Sequence, residues 1–230
     1  NVTELPFNSN NYSVAHPALS VDEKTLYFAS DMTGTLGQSD LFKVKINEDG
    51  TYGVPENLGP EINTEGRETF PFVSNDNELY FASDGRPGLG GLDVFVAKIE
   101  VDQSFYGIQN VGEPINSKQD DFAFLIDSKN RNGFFTSNRE GGKGYDDIYR
   151  FVENKKLICE QTLMGLVTDL DSGQILPNAK ISLFDKNFKP LQVMQTDAQG
   201  HYSFPVDCGK TYYVRGEKEE YQTKEASVTT

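Results

Sequence analysis

The chain has no tryptophan, two cysteines, two histidines and three methionines in 230 residues. Each shortage removes an option. Without tryptophan, the best stacking surface for a sugar ring is missing, and any carbohydrate contact falls to tyrosine or phenylalanine. With only His16 and His201, a Ser-His-Asp arrangement has few forms, and no Gly-x-Ser-x-Gly elbow occurs. His16 precedes Pro17 at a strand start and His201 lies within TDAQGHYSF; both read as structural, and neither sits at metal-ligand spacing. No run of about 18 apolar residues exists, so no helix is expected to span a membrane. The opening NVTELPFNSN lacks the basic start and apolar stretch of a secretory signal. The signal of an exported parent is therefore expected to be removed or to lie outside this sequence.

Basic residues are scarce too, 21 Lys and Arg against 35 Asp and Glu, for a net charge of −14. The imbalance is local: residues 1–152 hold 12 basic and 24 acidic side chains, residues 153–230 hold 9 and 11. Binding a phosphate backbone needs clustered Lys and Arg, so nucleic acid is not an expected partner. The acidic region serves solubility and is compatible with basic protein partners or divalent cations. Aromatic content of 12% argues against disorder, and 21 glycines among Asn- and Asp-rich junctions suggest the tight turns of an all-β chain.

What is present is one motif in three copies: SDMTGTLGQSDLF from Ser30, SDGRPGLGGLDVF from Ser83 and SNREGGKGYDDIY from Ser137. Each closes on Asp, an aliphatic residue and an aromatic one, at Asp40, Asp93 and Asp147, 53 and then 54 residues apart. Before each copy lie two short apolar segments joined by a polar turn, HPALSVDEKTLYFAS, FPFVSNDNELYFAS and FAFLIDSKNRNGFFTS. After it comes another strand, such as LFKVKI or VFVAKI, and a fourth element, ENLGPEINT or QNVGEPINS, loosely matched by NVTELPFNS at the start. Four strands in about 53 residues is the pattern of β-propeller blades; the alternative is an array of β-sandwiches. Residues 1–151 are therefore expected to form three four-stranded blades of a partial propeller. Three blades leave open faces and edges, so the missing blades are expected upstream or from a second copy.

The glycine-rich stretches GTLGQSD, GRPGLGGLD and GGKGYDD are expected to need positive φ. Each is followed by a strand, whereas a phosphate-binding loop needs a helix N-terminus, so no nucleotide site is expected. Asp40, Asp93 and Asp147 are expected to accept hydrogen bonds from the backbone of their own turns. A calcium site centred on Asp146 and Asp147 is the sharper alternative; without a full ligand spacing, no metal and no cofactor is expected. Asp120-Asp121 and Asp146-Asp147 are the acidic pairs a propeller glycoside hydrolase would draw on. Adjacent residues on a strand point to opposite faces, which makes them poor mutual partners.

The repeats stop after Phe151, and VENKKL forms a charged junction. Residues 158–230 alternate apolar and polar positions in GLVTD, AKISLFD, LQVMQTD, HYSFPV and TYYVRGEK, with turns between them, as in a small β-sandwich. Cys159 precedes the first strand and Cys208 comes after HYSFPV. A disulfide closing about 50 residues would contribute roughly 4 kcal/mol on the entropic model; two buried thiols fit the spacing as well.

The HPALS…LYFASD…GxGxxDLF pattern resembles TolB-type, WD-repeat-like propeller blades, and GLVTD…SGQILPNAKISLFD…TDAQGHYSF resembles the carboxypeptidase regulatory-like domain, a transthyretin-like sandwich. Together they are similar to the PorE-type OmpA-family outer-membrane lipoproteins of Bacteroidota. The resemblance implies a central fragment of a periplasmic, outer-membrane-associated protein. Its complete relatives carry a lipidated N-terminus, TPR helices and an OmpA-like peptidoglycan-binding domain, none of which is recognisable here. The oxidising periplasm then favours a Cys159–Cys208 disulfide. The implied function is a non-catalytic scaffold supporting type IX secretion or gliding. Its propeller would bind outer-membrane secretion or motility proteins, with peptidoglycan held by the absent domain. A glycan-binding module and a propeller glycoside hydrolase are the alternatives.

Overall fold

Each repeat folds into its own antiparallel meander, because short apolar runs such as TLYFAS and ELYFAS, buried on both faces, alternate with turns that carry Asn, Asp and Gly. The computed structural model describes residues 2–157 and 160–230. The first sheet runs β1 (Val14–Leu19), β2 (Thr25–Ser30), β3 (Asp40–Lys45) and β4 (Glu56–Asn57). The second runs β5 (Glu68–Val73), β6 (Glu78–Ser83), β7 (Asp93–Ile99) and β8 (Phe105–Asn110). The third holds β9 (Asp121–Ile126), β10 (Asn132–Ser137) and β11 (Asp147–Val152).

The third repeat thus departs from the expected four strands. Its β11 is followed by ENKKL, which has none of the Asn-aliphatic-Gly pattern that starts the turn after β4 and β8. Three sheets do not make a closed ring, and the architecture shown is an all-β stack rather than a closed propeller.

The first strand of each sheet carries the same irregularity. Two residues oppose one at 16–17, 70–71 and 123–124, and the bulge places His16, Phe70 and Ala123 at φ of 54°, 49° and 50°. Three non-glycine residues in this sparsely populated region mark the bulge as part of the repeat's design.

Successive sheets pack face to face. Tyr27, Ala29 and Leu41 of the first meet Leu79, Phe81, Phe95 and Ala97 of the second. Tyr80, Val94 and Val96 of the second meet Phe124, Ile126 and Phe135 at the third. The other face of the first sheet, Leu26, Phe28, Phe42 and Val44, is covered by Phe7, Leu5 and Tyr12 from the opening segment. Each fully buried large side chain contributes about 1.5–3 kcal/mol.

A second unit spans Ile158–Thr230. Here β12 (Glu160–Leu166) pairs with β15 (His201–Asp207). A four-stranded sheet runs β14 (Pro190–Gln195), β13 (Lys180–Phe184), β16 (Thr211–Glu217) and β17 (Lys224–Thr229). Ile181, Leu183, Phe204, Val206, Tyr212 and Val214 form its core. The sequence pattern does not mark β17: KEASVT is mostly exposed and lacks an alternating apolar face, and pairing with β16 defines it. Among the described residues, no helix is long and apolar enough to cross a membrane.

Candidate functional site

The recurring aspartates sit at the first residue of β3, β7 and β11, each folded back over the loop before it. Asp40, fully buried, accepts hydrogen bonds from Leu36 N at 2.8 Å, Gly37 N at 3.2 Å and Asn57 Nδ2 at 2.6 Å. Asp93 accepts from Leu89 N at 2.6 Å and Gly90 N at 3.2 Å. Its Oδ1 and the Nδ2 of Asn110, the counterpart of Asn57, are buried without a partner. Burial raises the Asp93 carboxyl above the ordinary carboxylate value, against the two backbone donors. Asp147 accepts from Lys143 N at 2.7 Å and Gly144 N at 3.0 Å, while its neighbour Asp146 is exposed. Among the described residues, no three His, Cys, Asp or Glu side chains are grouped to hold a metal ion.

The loop glycines correct the sequence reading. Gly34 and Gly141 have positive φ, but Gly37 and Gly90 do not. They are needed for close approach: a Cβ at Gly37 would run into the backbone of residues 64–66, and one at Gly90 into the carbonyls of Ser117 and Gln119.

Sequence reasoning missed the residues that clamp one repeat to the next, although they lie within the matching ENLGPEINT and QNVGEPINS. The amide of Asn63 accepts from Leu41 N at 2.8 Å and donates to Leu41 O at 3.0 Å. That of Asn116 does the same to Val94 N and O, both at 2.8 Å. Glu68 and Asp121, both fully buried, are equally committed. Glu68 accepts from Thr64 N and Oγ1 at 2.7 Å and Ser83 Oγ at 2.5 Å; Asp121 accepts from Ser117 N at 2.6 Å and Arg139 at 2.7 Å. Arg139 also donates to Ile115 O at 2.6 Å and lies 4.8 Å from the Phe135 ring centroid. Asp120 accepts from Leu92 N at 2.8 Å. The acidic pair at 120–121 therefore works as a joint between sheets.

His16 stacks on Phe70 at 3.8 Å and bonds Thr69 Oγ1 at 2.7 Å, and burial lowers its pKa. The outer face of the third sheet carries four exposed apolar side chains, Leu125, Phe134, Ile148 and Val152, beside the exposed Arg150.

In the second unit, two sheets enclose one apolar core from residue 160 onward. Residues 162–230 match the carboxypeptidase regulatory-like domain. No curated protein matches the chain. Among solved structures it is similar to the Bacillus anthracis TIE protein, at 12% identity over 88% of this chain and 39% of that one, with a TM-score of 0.29. It is also similar to a biofilm-associated protein BSP domain, at 10% identity over 93% and 45% of the two chains, with a TM-score of 0.20. The chain spans 39% and 45% of the lengths of these two proteins, and likenesses this weak carry no argument about fold or function.

The regulatory-like domain carries a shallow groove of about 470 Å³ lined by Met164, Met194, Asp197, His201 and Tyr202. His201 is exposed, 3.8 Å from Asp197. Tyr202 lies against Gly165, where a Cβ would meet its ring. Cys208 is buried at the end of β15 and is not a free thiol; Cys159, the other half of the expected disulfide, lies outside the described residues.

Proposed function

We propose that this chain is a non-catalytic scaffold of the cell envelope, with the repeat unit as its protein-binding platform and the regulatory-like domain as a spacer. The observation that carries this reading is the exposed apolar face of the third sheet. A patch of Leu125, Phe134, Ile148 and Val152 is a feature that protein contacts cover. Of the acidic pairs that a hydrolase would draw on, Asp121 and Asp147 are instead engaged in joints and turns, each accepting at least two donors from the chain itself. The resemblance of the repeats to TolB-type blades, joined to a regulatory-like domain, supports a periplasmic, outer-membrane-associated parent of the PorE-type OmpA family. Such a parent would serve type IX secretion or gliding and reach peptidoglycan through a further domain.

In-cell photocrosslinking of the parent protein tests this, with the crosslinker placed at Ile148. Adducts with outer-membrane secretion or motility proteins are the expected result. Adducts with peptidoglycan fragments alone would turn the reading toward the glycan-binding alternative.

A further inference from the structure

The third repeat ends on a surface that its two predecessors use. In the first repeat, residues 56–68 cover the edge of β3 and its loop. Besides the Asn63 amide on Leu41, Gln38 N donates to Gly66 O and Glu68 N to Ser39 O, both at 2.8 Å. In the second, residues 109–121 cover β7 in the same way. Asn116 holds Val94, Leu92 N donates to Asp120 Oδ1 at 2.8 Å, and Asp121 N donates to Leu92 O at 2.6 Å. The side chains on this face are sealed by the next sheet together with Ile62 or Ile115 of the covering segment: Leu41 is 0% exposed, Val94 1% and Tyr80 3%. At the equivalent positions of the third repeat, Ile148 is 77% exposed and Phe134 44%. Gly144, counterpart of Gly37 and Gly90, has only Asp146 and Asp147 of its own loop nearby, none closer than 3.4 Å to a built Cβ. Among the described residues, nothing pairs with the free edge of β11.

We propose that this surface is a docking site for an extended segment of the type Asn-aliphatic-Gly-x-x-Ile-Asn-Ser/Thr from a partner polypeptide. The segment adds to β11 as a fourth antiparallel strand and sets its second Asn amide on the backbone of Ile148. Its chemistry is set by the two internal precedents, Asn57 to Thr64 and Asn110 to Ser117. The first Asn turns the segment: Asn57 Oδ1 accepts from Gly59 N and Asn63 Nδ2, both at 2.8 Å, and Asn110 Oδ1 from Gly112 N at 2.8 Å and Asn116 Nδ2 at 2.7 Å. Gly supplies φ of 83° and 72° there. Ile62 and Ile115 pack into the apolar layers between sheets. A second copy of this chain is a poorer occupant. Its own opening segment already covers its first sheet, with Phe7 stacked on Phe28 at 5.0 Å, and docking would have to peel it away.

The probe is a fluorescein-labelled peptide of residues 56–69, titrated into the full chain. A saturable rise in anisotropy is expected, weakened at least about tenfold by Asn63→Ala in the peptide and by Ile148→Asp in the protein. Because Ile148 is exposed, Ile148→Asp should leave the melting temperature unchanged. The chain lacks tryptophan, so Phe134→Trp adds a reporter whose emission moves to the blue as the peptide covers it. Three outcomes would overturn the proposal: no saturation by ~1 mM peptide, equal binding of the Asn63→Ala peptide, or a concentration-dependent dimer that Ile148→Asp dissolves. The last would assign the face to a second copy. The proposal rests on the protein-binding reading above. The titration reports on the surface alone, so failure here leaves the cellular crosslinks standing, and failure of the crosslinks leaves the titration standing.

Discussion

Asp40 receives three donors, two from its own loop and one from Asn57, whereas Asp93 receives two and keeps an orphaned oxygen. Both cap loops by accepting the backbone amides of the preceding turn. Asp93→Ala is expected to lower stability by about 1–3 kcal/mol, and Asp40→Ala by more, since it also removes the 2.6 Å bond from Asn57 Nδ2, leaving that amide only its longer bond to Gly34 O at 3.2 Å. Chemical denaturation of the two variants measures the difference, and equal losses would count against this ranking. Titration separates a further carboxylate. The hydrogen bond from Lys156, with Arg131 adding, holds Asp76 below its ordinary 3.8. The stability Asp76 contributes is therefore present above that value and lost as pH falls through its lower folded pKa. Asp93, raised by burial, behaves oppositely: its folded form takes up the proton first, and stability is lost as pH rises through its raised value. Asp76→Asn should flatten the fall in melting temperature below about pH 4, and Asp93→Asn should not. The role of these aspartates was readable, because an acid after a glycine-rich turn has few other donors within reach. That Asp93 is under-satisfied was not readable, since the orphaned pair depends on the position of Asn110.

At the scale of the elements, the joint between repeats is the informative structure. Gly90→Ala would press a methyl group into the carbonyls of Ser117 and Gln119, so it should cost about 1–3 kcal/mol. Gly144→Ala meets only its own loop at ordinary contact distance and should stay within about 0.5 kcal/mol of the parent. Thermal melts of the pair test whether the third loop is free; a comparable loss in both variants would mean that something covers Gly144. Strands β2, β6 and β10 were legible from their dense apolar runs, and the hairpins from their Asn and Asp turns. The clamps made by Asn63 and Asn116 were visible as repeated letters, but not as contacts. An asparagine in a turn motif looks like a turn residue until the backbone it grips is known. Among the described residues the third repeat has no fourth strand, because ENKKL after β11 lacks the Asn-aliphatic-Gly turn that follows β4 and β8.

For the whole molecule, the division at residues 157–158 gives each unit its own core. Residues 158–230 are therefore expected to fold when produced alone, with a cooperative thermal transition. Thiol titration of that piece under non-reducing, denaturing conditions should find no free thiol if Cys159 pairs with Cys208; two titratable thiols would remove the disulfide. Strand, turn and repeat length depend on residues close together in the chain, and alternation and spacing were enough to reveal three repeats and then a sandwich. Which faces are sealed depends on residues far apart. Leu41, Val94 and Ile148 occupy the same place in the same motif, yet the first two are buried and the third is open. The difference lies in what covers the face: the next sheet together with residues 56–68 seals the first repeat, the next sheet together with residues 109–121 seals the second, and the third has no counterpart of either among the described residues. Burial is a property of neighbours brought together by the fold, so only the tertiary structure could distinguish the two closed joints from the open one.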